Sequence, residues 1–177
     1  MHESPVDPST VQHLLGYALA QARVAANRAF FQAIGEPMQL RTVEFSLLML
    51  LMPGEGLSQR QLAQALNLSA PNLTLVVSRL QSRGLLVRER NPTDRRAQAI
   101  RLTAEGLSIA RHAHAISLEM EAGMRQLYSP AEWALLLELL QRVSPGAQSA
   151  SEEQARAAQR QATRAPIGHQ RNNINGI

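Results

Sequence analysis

Leu57-Ser-Gln-Arg-Gln-Leu-Ala-Gln-Ala-Leu-Asn-Leu-Ser-Ala-Pro-Asn-Leu-Thr-Leu-Val-Val-Ser-Arg-Leu-Gln-Ser-Arg-Gly84 contains two helix starts in quick succession. Ser58-Gln-Arg-Gln61 is a capping box, in which the serine hydroxyl accepts from the amide three residues on and Gln61 reaches back. Leu57 and Leu62 flank it at the spacing of a hydrophobic staple. After Asn67-Leu68, Ser69 caps a second helix, Pro71 is tolerated in its first turn, and Leu68 and Leu73 repeat the staple. Between Ala70 and Arg83, Leu73, Val76, Val77 and Leu80 follow the i, i+3, i+4, i+7 pattern of a core stripe, and the helix stops at Gly84. Two short, separately capped helices joined by a few residues describe a helix-turn-helix. The other face of the second helix presents Pro71, Thr74, Leu75, Ser78, Arg79 and Ser82, with Asn72 at its edge. It carries no acid, so it can enter a major groove without repelling phosphates.

Downstream, Leu86-Val-Arg-Glu-Arg90 suits one strand and Ala97 to Leu102 a second, with Ile100 and Leu102 alternating against Ala99 and Arg101 as a half-buried strand requires. Between them lies the turn-rich Asn91-Pro-Thr-Asp-Arg-Arg96. A helix-turn-helix followed by an arginine-tipped hairpin is a winged helix. All 18 basic residues of the chain are arginine, and the formal net charge is +4. Seven of them fall between Arg79 and Arg101, opposed there by Glu89 and Asp94 alone. Such a local surplus suits a polyanion, though it equally suits a solvated arginine-rich surface.

Upstream, a long helix is expected from Ser9 to Ile34, capped by Asp7, Ser9 or Thr10 and closed by Gly35 in the left-handed conformation ahead of Pro37. Its alanines and its bulky Leu14, Leu15, Leu19, Val24, Phe30 and Phe31 make it apolar on several sides, which a second subunit would cover. A core helix follows over Thr42–Met52, broken by Pro53-Gly-Glu-Gly56. Beyond the hairpin, Thr103 caps a helix over Ala104–Leu127. Ser129-Pro-Ala-Glu132 is another capping box, with Tyr128 and Trp133 at staple spacing, and opens a leucine-rich helix that ends before Pro145-Gly146. From Ala147 onward large apolar side chains almost vanish, which predicts a mostly disordered tail.

Other chemistries find little support. The chain has no cysteine, which excludes disulfides, thiolate metal sites and cysteine nucleophiles. There is no glycine-rich phosphate loop and no Gly-x-Ser-x-Gly elbow, so neither an enzyme nor a cofactor is expected. His112 and His114 are two apart on a helix and diverge, so no metal site is expected. No apolar run reaches membrane-spanning length, and the polar N-terminus lacks signal-peptide character. The expected compartment is the cytoplasm.

Asp94-Arg-Arg-Ala97 followed by Ile100-Arg-Leu-Thr-Ala-Glu-Gly106, and Leu57-Ser-Gln-Arg-Gln-Leu-Ala63 ahead of Asn72-Leu-Thr-Leu-Val-Val-Ser-Arg-Leu80 and Arg83-Gly-Leu85, resemble the MarR family (multiple antibiotic resistance regulators). The likeness covers roughly residues 10–145. It implies a mainly α fold with a small β-hairpin wing: residues 1–34 as an N-terminal dimerisation helix, 35–102 as a winged helix-turn-helix lobe that binds double-stranded DNA, 103–146 as C-terminal dimerisation helices, and 147–177 as the tail. It also implies a homodimer that reads a pseudo-palindromic operator, with repression as the family habit. The pattern departs at Leu75, where many relatives have a polar residue; leucine cannot bond a guanine edge but can contact a thymine methyl.

Base reading then falls to Pro71, Asn72, Thr74, Leu75, Ser78 and Arg79, while Ser58, Gln59, Ser69 and Ser82 are placed to meet phosphates. Ser58 and Ser69 also have capping as a sufficient role. In the wing, Arg95 or Arg96 is expected in the minor groove, with Asp94 as an organiser. Relatives often bind small aromatic acids between the dimer base and each lobe. That implies a small aromatic or phenolic effector lined here by His13, Tyr17, Arg23, Arg41, Phe45, Met49 and Met52, although Phe45, Met49 and Met52 equally suit plain core. The rival reading is a helical adaptor that uses the same scaffold for protein contacts.

Overall fold

A computed structural model describes residues 7–90 and 98–143, and the chain divides into two units, Met1–Trp133 and Ala134–Ile177. The wing loop 91–97 and the tail from Ala147 lie outside the described residues.

The first helix starts later than its polar residues suggest. Asp7 accepts from the Ser9 amide (2.9 Å) and hydroxyl (3.0 Å), and these bonds, the amide's first, hold its carboxyl below the usual aspartate value. These would-be caps satisfy one another in a turn, and α1 begins only at Leu15, running to Phe30. It continues into a π-helical turn, Phe31–Gly35. Gly35 does not close the helix left-handed as expected; Gln39 is the left-handed residue here, at φ 50°. Gly35 instead sits in a close approach, where an added Cβ would lie 3.3 Å from both the Leu40 carbonyl oxygen and the Phe30 ring.

Helix α2, Thr42–Leu51, buries Leu47, Leu48 and Leu51. Then comes a short strand that periodicity did not reveal. Leu57–Ser58 forms β1, pairing antiparallel with Ile100 and Ala99. Leu57, expected only as a staple, is thus part of the sheet. Helix α3 spans Gln59–Ala65 and α4 spans Ala70–Ser82. They are joined through Asn67, whose φ of 51° is one that asparagine tolerates better than most side chains. Gly84, at φ 73°, turns the chain out of α4. Strands β2, Leu86–Arg90, and β3, Gln98–Leu102, pair antiparallel with Leu86 opposite Leu102 and Arg90 opposite Gln98. The sheet is three-stranded, in the order β1-β3-β2.

Leu62 of α3, Leu73, Val77 and Leu80 of α4, Leu85, Ile100 of β3 and, on the following helix α5 (Ala104–Met120), Ala110 and Ala113 close one core with Ile34 and the α2 leucines. Each fully buried leucine contributes about 1.5–3 kcal/mol of transfer free energy. The single helix expected to reach Leu127 breaks at Glu121, and a short α6 follows over Ala122–Arg125. Gly123 in this stretch is a weak helix former, with open space around it. Helix α7, Pro130–Val143, opens on the expected box. Glu132 accepts from the Ser129 amide (2.8 Å) and hydroxyl (2.7 Å), and these bonds, the amide's first, lower its carboxyl below the usual glutamate value. The Tyr128 and Trp133 rings meet at 5.8 Å. In the second unit, Leu135, Leu137, Leu139, Leu140 and Val143 are exposed, and Glu138 pairs with Arg142. Among the described residues no helix is long and apolar enough to cross a membrane.

Candidate nucleic-acid interface

The capping pattern of the helix-turn-helix decides which polar groups are left over. Ser58 caps α3 fully: its hydroxyl accepts from the Gln61 amide at 3.2 Å, and Gln61 Oε1 accepts from the Ser58 amide (2.9 Å) and hydroxyl (2.8 Å). Ser69 occupies the N-cap of α4 with extended backbone, yet its side chain makes no capping bond. Ser69 is exposed, whereas Ser58 and Gln59 are half-buried.

Helix α4 turns Leu73, Val77 and Leu80 into the core and leaves Pro71, Asn72, Thr74, Leu75, Ser78 and Ser82 exposed together. Two hydroxyls on this face donate to their own helix, Thr74 to the Ala70 carbonyl and Ser82 to the Arg79 carbonyl, each at 2.9 Å. Arg79 is half-buried at the margin and has a partner that the sequence reading did not foresee. Its Nε lies 3.1 Å from Oε1 of Glu44, a carboxylate only 1% exposed. The other oxygen of Glu44 accepts from the Arg41 amide at 2.8 Å. This buried acid therefore joins the start of α2 to the end of α4. A lone acid inside the apolar run Thr42–Met52 was the available signal, because a buried carboxylate needs a partner.

Much of the arginine surplus read from the sequence is likewise engaged within the fold. Arg83 donates to the carbonyls of Gln39 (2.8 Å) and Met38 (3.1 Å). Arg88 donates to Gln81 at 3.1 Å. Arg101 lies 3.2 Å from Glu89 and donates to the Gly54 carbonyl. Asp94, Arg95 and Arg96 belong to the loop outside the described residues.

The base of the wing is tied to α5. Thr103 donates its hydroxyl to the Gly84 carbonyl (2.7 Å), accepts from the Gly106 amide (3.0 Å), and sends its own amide to the Leu85 carbonyl (3.1 Å). Gly106 packs flush against Leu85, since a Cβ there would lie 2.0 Å from the Leu85 carbonyl oxygen. The Leu102-Thr-Ala-Glu-Gly106 stretch is thus a packing device.

A concavity of about 420 Å³ opens beside α4, lined by Asn27, Phe30 and Phe31 of α1 and its π turn, Gln39, Arg41 and Thr42 at the start of α2, and Arg79. Of the expected effector lining, Arg41 alone borders it. Phe45, Met49 and Met52 are partly buried against the core, with the Phe45 ring 5.6 Å from Phe30. His13 and Arg23 are exposed and Tyr17 is half-buried.

The sequence profile of the MarR family matches residues 38–97, from just before α2 through the helix-turn-helix and β2, and stops short of β3. The transcriptional repressor CouR, solved bound to a 23-mer DNA duplex, is 30% identical with a TM-score of 0.72, over 79% of this chain and 99% of that one. The chain belongs to the MarR family. It is a DNA-binding transcriptional regulator, and the family is one of regulators, not enzymes. This MarR protein is also similar to a candidate transcriptional regulatory protein for the hcr operon of Thauera aromatica, at 29% identity over 73% of this chain and 78% of that protein. The PcaV regulator of Streptomyces coelicolor, solved with its natural ligand, is 26% identical with a TM-score of 0.68, over 80% of this chain and 96% of that one. For this MarR regulator, the split between the two sides of α4 is the feature that matters most: one side builds the lobe and the other is exposed.

Proposed function

We propose that this regulator is a ligand-responsive repressor that binds a pseudo-palindromic operator as a homodimer and is released by a small aromatic, carboxylate-bearing effector. The observation that carries the reading is the exposed, acid-free face of α4, held rigidly by Arg79 and Arg83 at one end and by its core stripe along its length. Base contacts fall to Asn72, Leu75 and Ser78 with Pro71 and Thr74 beside them. Phosphate contacts fall to Ser69, Ser82 and Gln59, and Arg95 or Arg96 of the wing enters the minor groove with Asp94 organising the loop. Arg79 is the member of this set whose role shifts: its Nε holds Glu44, so it positions α4.

The likeness to CouR, itself a repressor, supports repression, and the likeness to ligand-bound PcaV supports an effector. Leu15, Leu19, Val24 and Phe31 on α1 and its π turn, and Leu135, Leu137, Leu139 and Leu140 on α7, are large exposed apolar groups of the kind a partner subunit covers. The concavity supplies two phenylalanine rings for a planar apolar body and two guanidinium groups, Arg41 and Arg79, for an anion. A carboxylate there competes with Glu44 for Arg79 and so favours a different placement of α4, a population shift of the recognition helix.

The test is selection of duplexes from a random-sequence library by the full chain, then gel shifts on the enriched site with benzoate, 4-hydroxybenzoate and the neutral benzamide. The expected result is an inverted-repeat site released by the two acids but not by the amide. Absence of binding to any duplex at low salt would favour the adaptor reading, and equal release by benzamide would remove the carboxylate from the effector class.

A further inference from the structure

Leu75 stands outside the core formed by the described residues. It is 69% exposed, it stands among Asn72, Thr74 and Ser78 on the face of α4 opposite the core stripe, and it is the one large apolar side chain exposed there. The groups immediately around it, Asn72, Thr74 and Ser78, are neutral. Arg79 is the only ionisable residue of α4, and its Nε is held by Glu44. Arg83, at the end of the helix, has both terminal amines on the carbonyls of Met38 and Gln39. The hydroxyls of Thr74 and Ser82 donate to their own helix. The centre of the recognition face is therefore uncharged, with Leu75 as its one large apolar group.

We infer that Leu75 is a specificity-determining residue that selects thymine, through its 5-methyl group, at one position of each half-site. The inference rests on the reading of α4 as the helix that enters the major groove. In that groove thymine alone among the four bases carries a methyl group. A leucine pressed on a cytosine amino group or a guanine oxygen strips water from a polar atom and returns no hydrogen bond. Pressed on thymine, it buries apolar surface on both partners. Recognition at this position thus works by exclusion of polar edges together with methyl burial, and it involves no counterion release.

The experiment takes the duplex enriched from the random library and remakes it with deoxyuridine in place of each thymine in turn, which removes only the methyl. At one thymine per half-site the wild-type protein is expected to lose about fourfold in affinity. Leu75→Ala is expected to bind the thymine and uracil duplexes equally, at about the level the wild type shows on uracil. The slope of affinity against salt stays the same throughout, because no phosphate contact changes. Thermal melting of Leu75→Ala should match wild type, since the side chain is exposed. Deoxyuridine without effect at every position overturns the inference, as does a uracil penalty that persists in Leu75→Ala. Binding to duplex DNA with no sequence enriched overturns it while leaving DNA binding intact, and no binding to any duplex removes the reading beneath it as well.

Discussion

A β-carbon on Gly106 would lie 2.0 Å from the carbonyl oxygen of Leu85, so the first turn of α5 and the chain entering β2 are in backbone contact. Gly106→Ala forces these elements apart. The expected cost is about 3 kcal/mol or more, at the upper end of overpacking substitutions, read as a lower urea midpoint. Thr103→Val at the same junction removes the α5 cap and the bond to Gly84, and should cost about 1 kcal/mol. An alanine variant as stable as wild type would show that the approach is not required.

The Glu44–Arg79 pair should be felt in stability before it is felt in DNA affinity. Arg79→Ala leaves the buried carboxylate with the Arg41 amide as its described donor. Deeply buried pairs broken in this way lose about 3–5 kcal/mol. Arg79 is 40% exposed, so water offsets part of the loss and about 1–2 kcal/mol is expected. A double-mutant cycle with Glu44→Gln, followed by urea unfolding, measures the coupling; additive losses would mean that the two side chains act independently.

Ser58 and Ser69 look alike in the sequence and should behave differently. Ser58→Ala removes a complete capping box and should lower stability by about 1 kcal/mol. Ser69→Ala removes no capping bond, so its stability should change by less than about 0.5 kcal/mol, while operator affinity falls. Urea melts and gel shifts on both variants check the contrast, and the reverse pattern would reassign the two hydroxyls.

In the wing, Arg95→Ala is expected to weaken binding across all sequences and to reduce the salt slope by about one counterion. Gel shifts across a salt series read both quantities; a wild-type slope would place Arg95 away from the phosphates.

Leu19→Glu on α1 and Leu139→Glu on α7 each put a charge among exposed apolar side chains. Each is expected to convert a dimer into monomers in light scattering while circular dichroism stays unchanged. A wild-type protein that is monomeric at micromolar concentration would remove the dimer from the proposal.

The parts that were legible in the sequence are those governed by local chemistry. The boxes at Ser58 and Ser129, the stripe Leu73-Val76-Val77-Leu80 and the cap at Thr103 depend on neighbours within four residues, and all four occur as read. What escaped the reading depends on tertiary contact. Strand β1 has two residues, too few to show alternation, and exists because β3 offers it an edge. The Glu44–Arg79 pair links positions far apart in the chain. The turns before Leu15 arise because Asp7 and Ser9 bond each other, an outcome indistinguishable in the sequence from a cap. Of the expected effector lining, the three apolar members, Phe45, Met49 and Met52, pack against the core, because an apolar side chain at helical spacing carries the same signature whether it faces a cavity or a neighbour.

The pairing of Leu57 with Ile100 and of Ser58 with Ala99 has a mechanical consequence. The residue that caps α3 is also stitched by its backbone to the returning strand of the hairpin. A displacement of β3 is therefore transmitted to the head of the helix-turn-helix through its pairing with β1. On the proposed mode of DNA binding, the recognition helix and the hairpin strands then tilt together, so a stimulus that shifts one shifts the other.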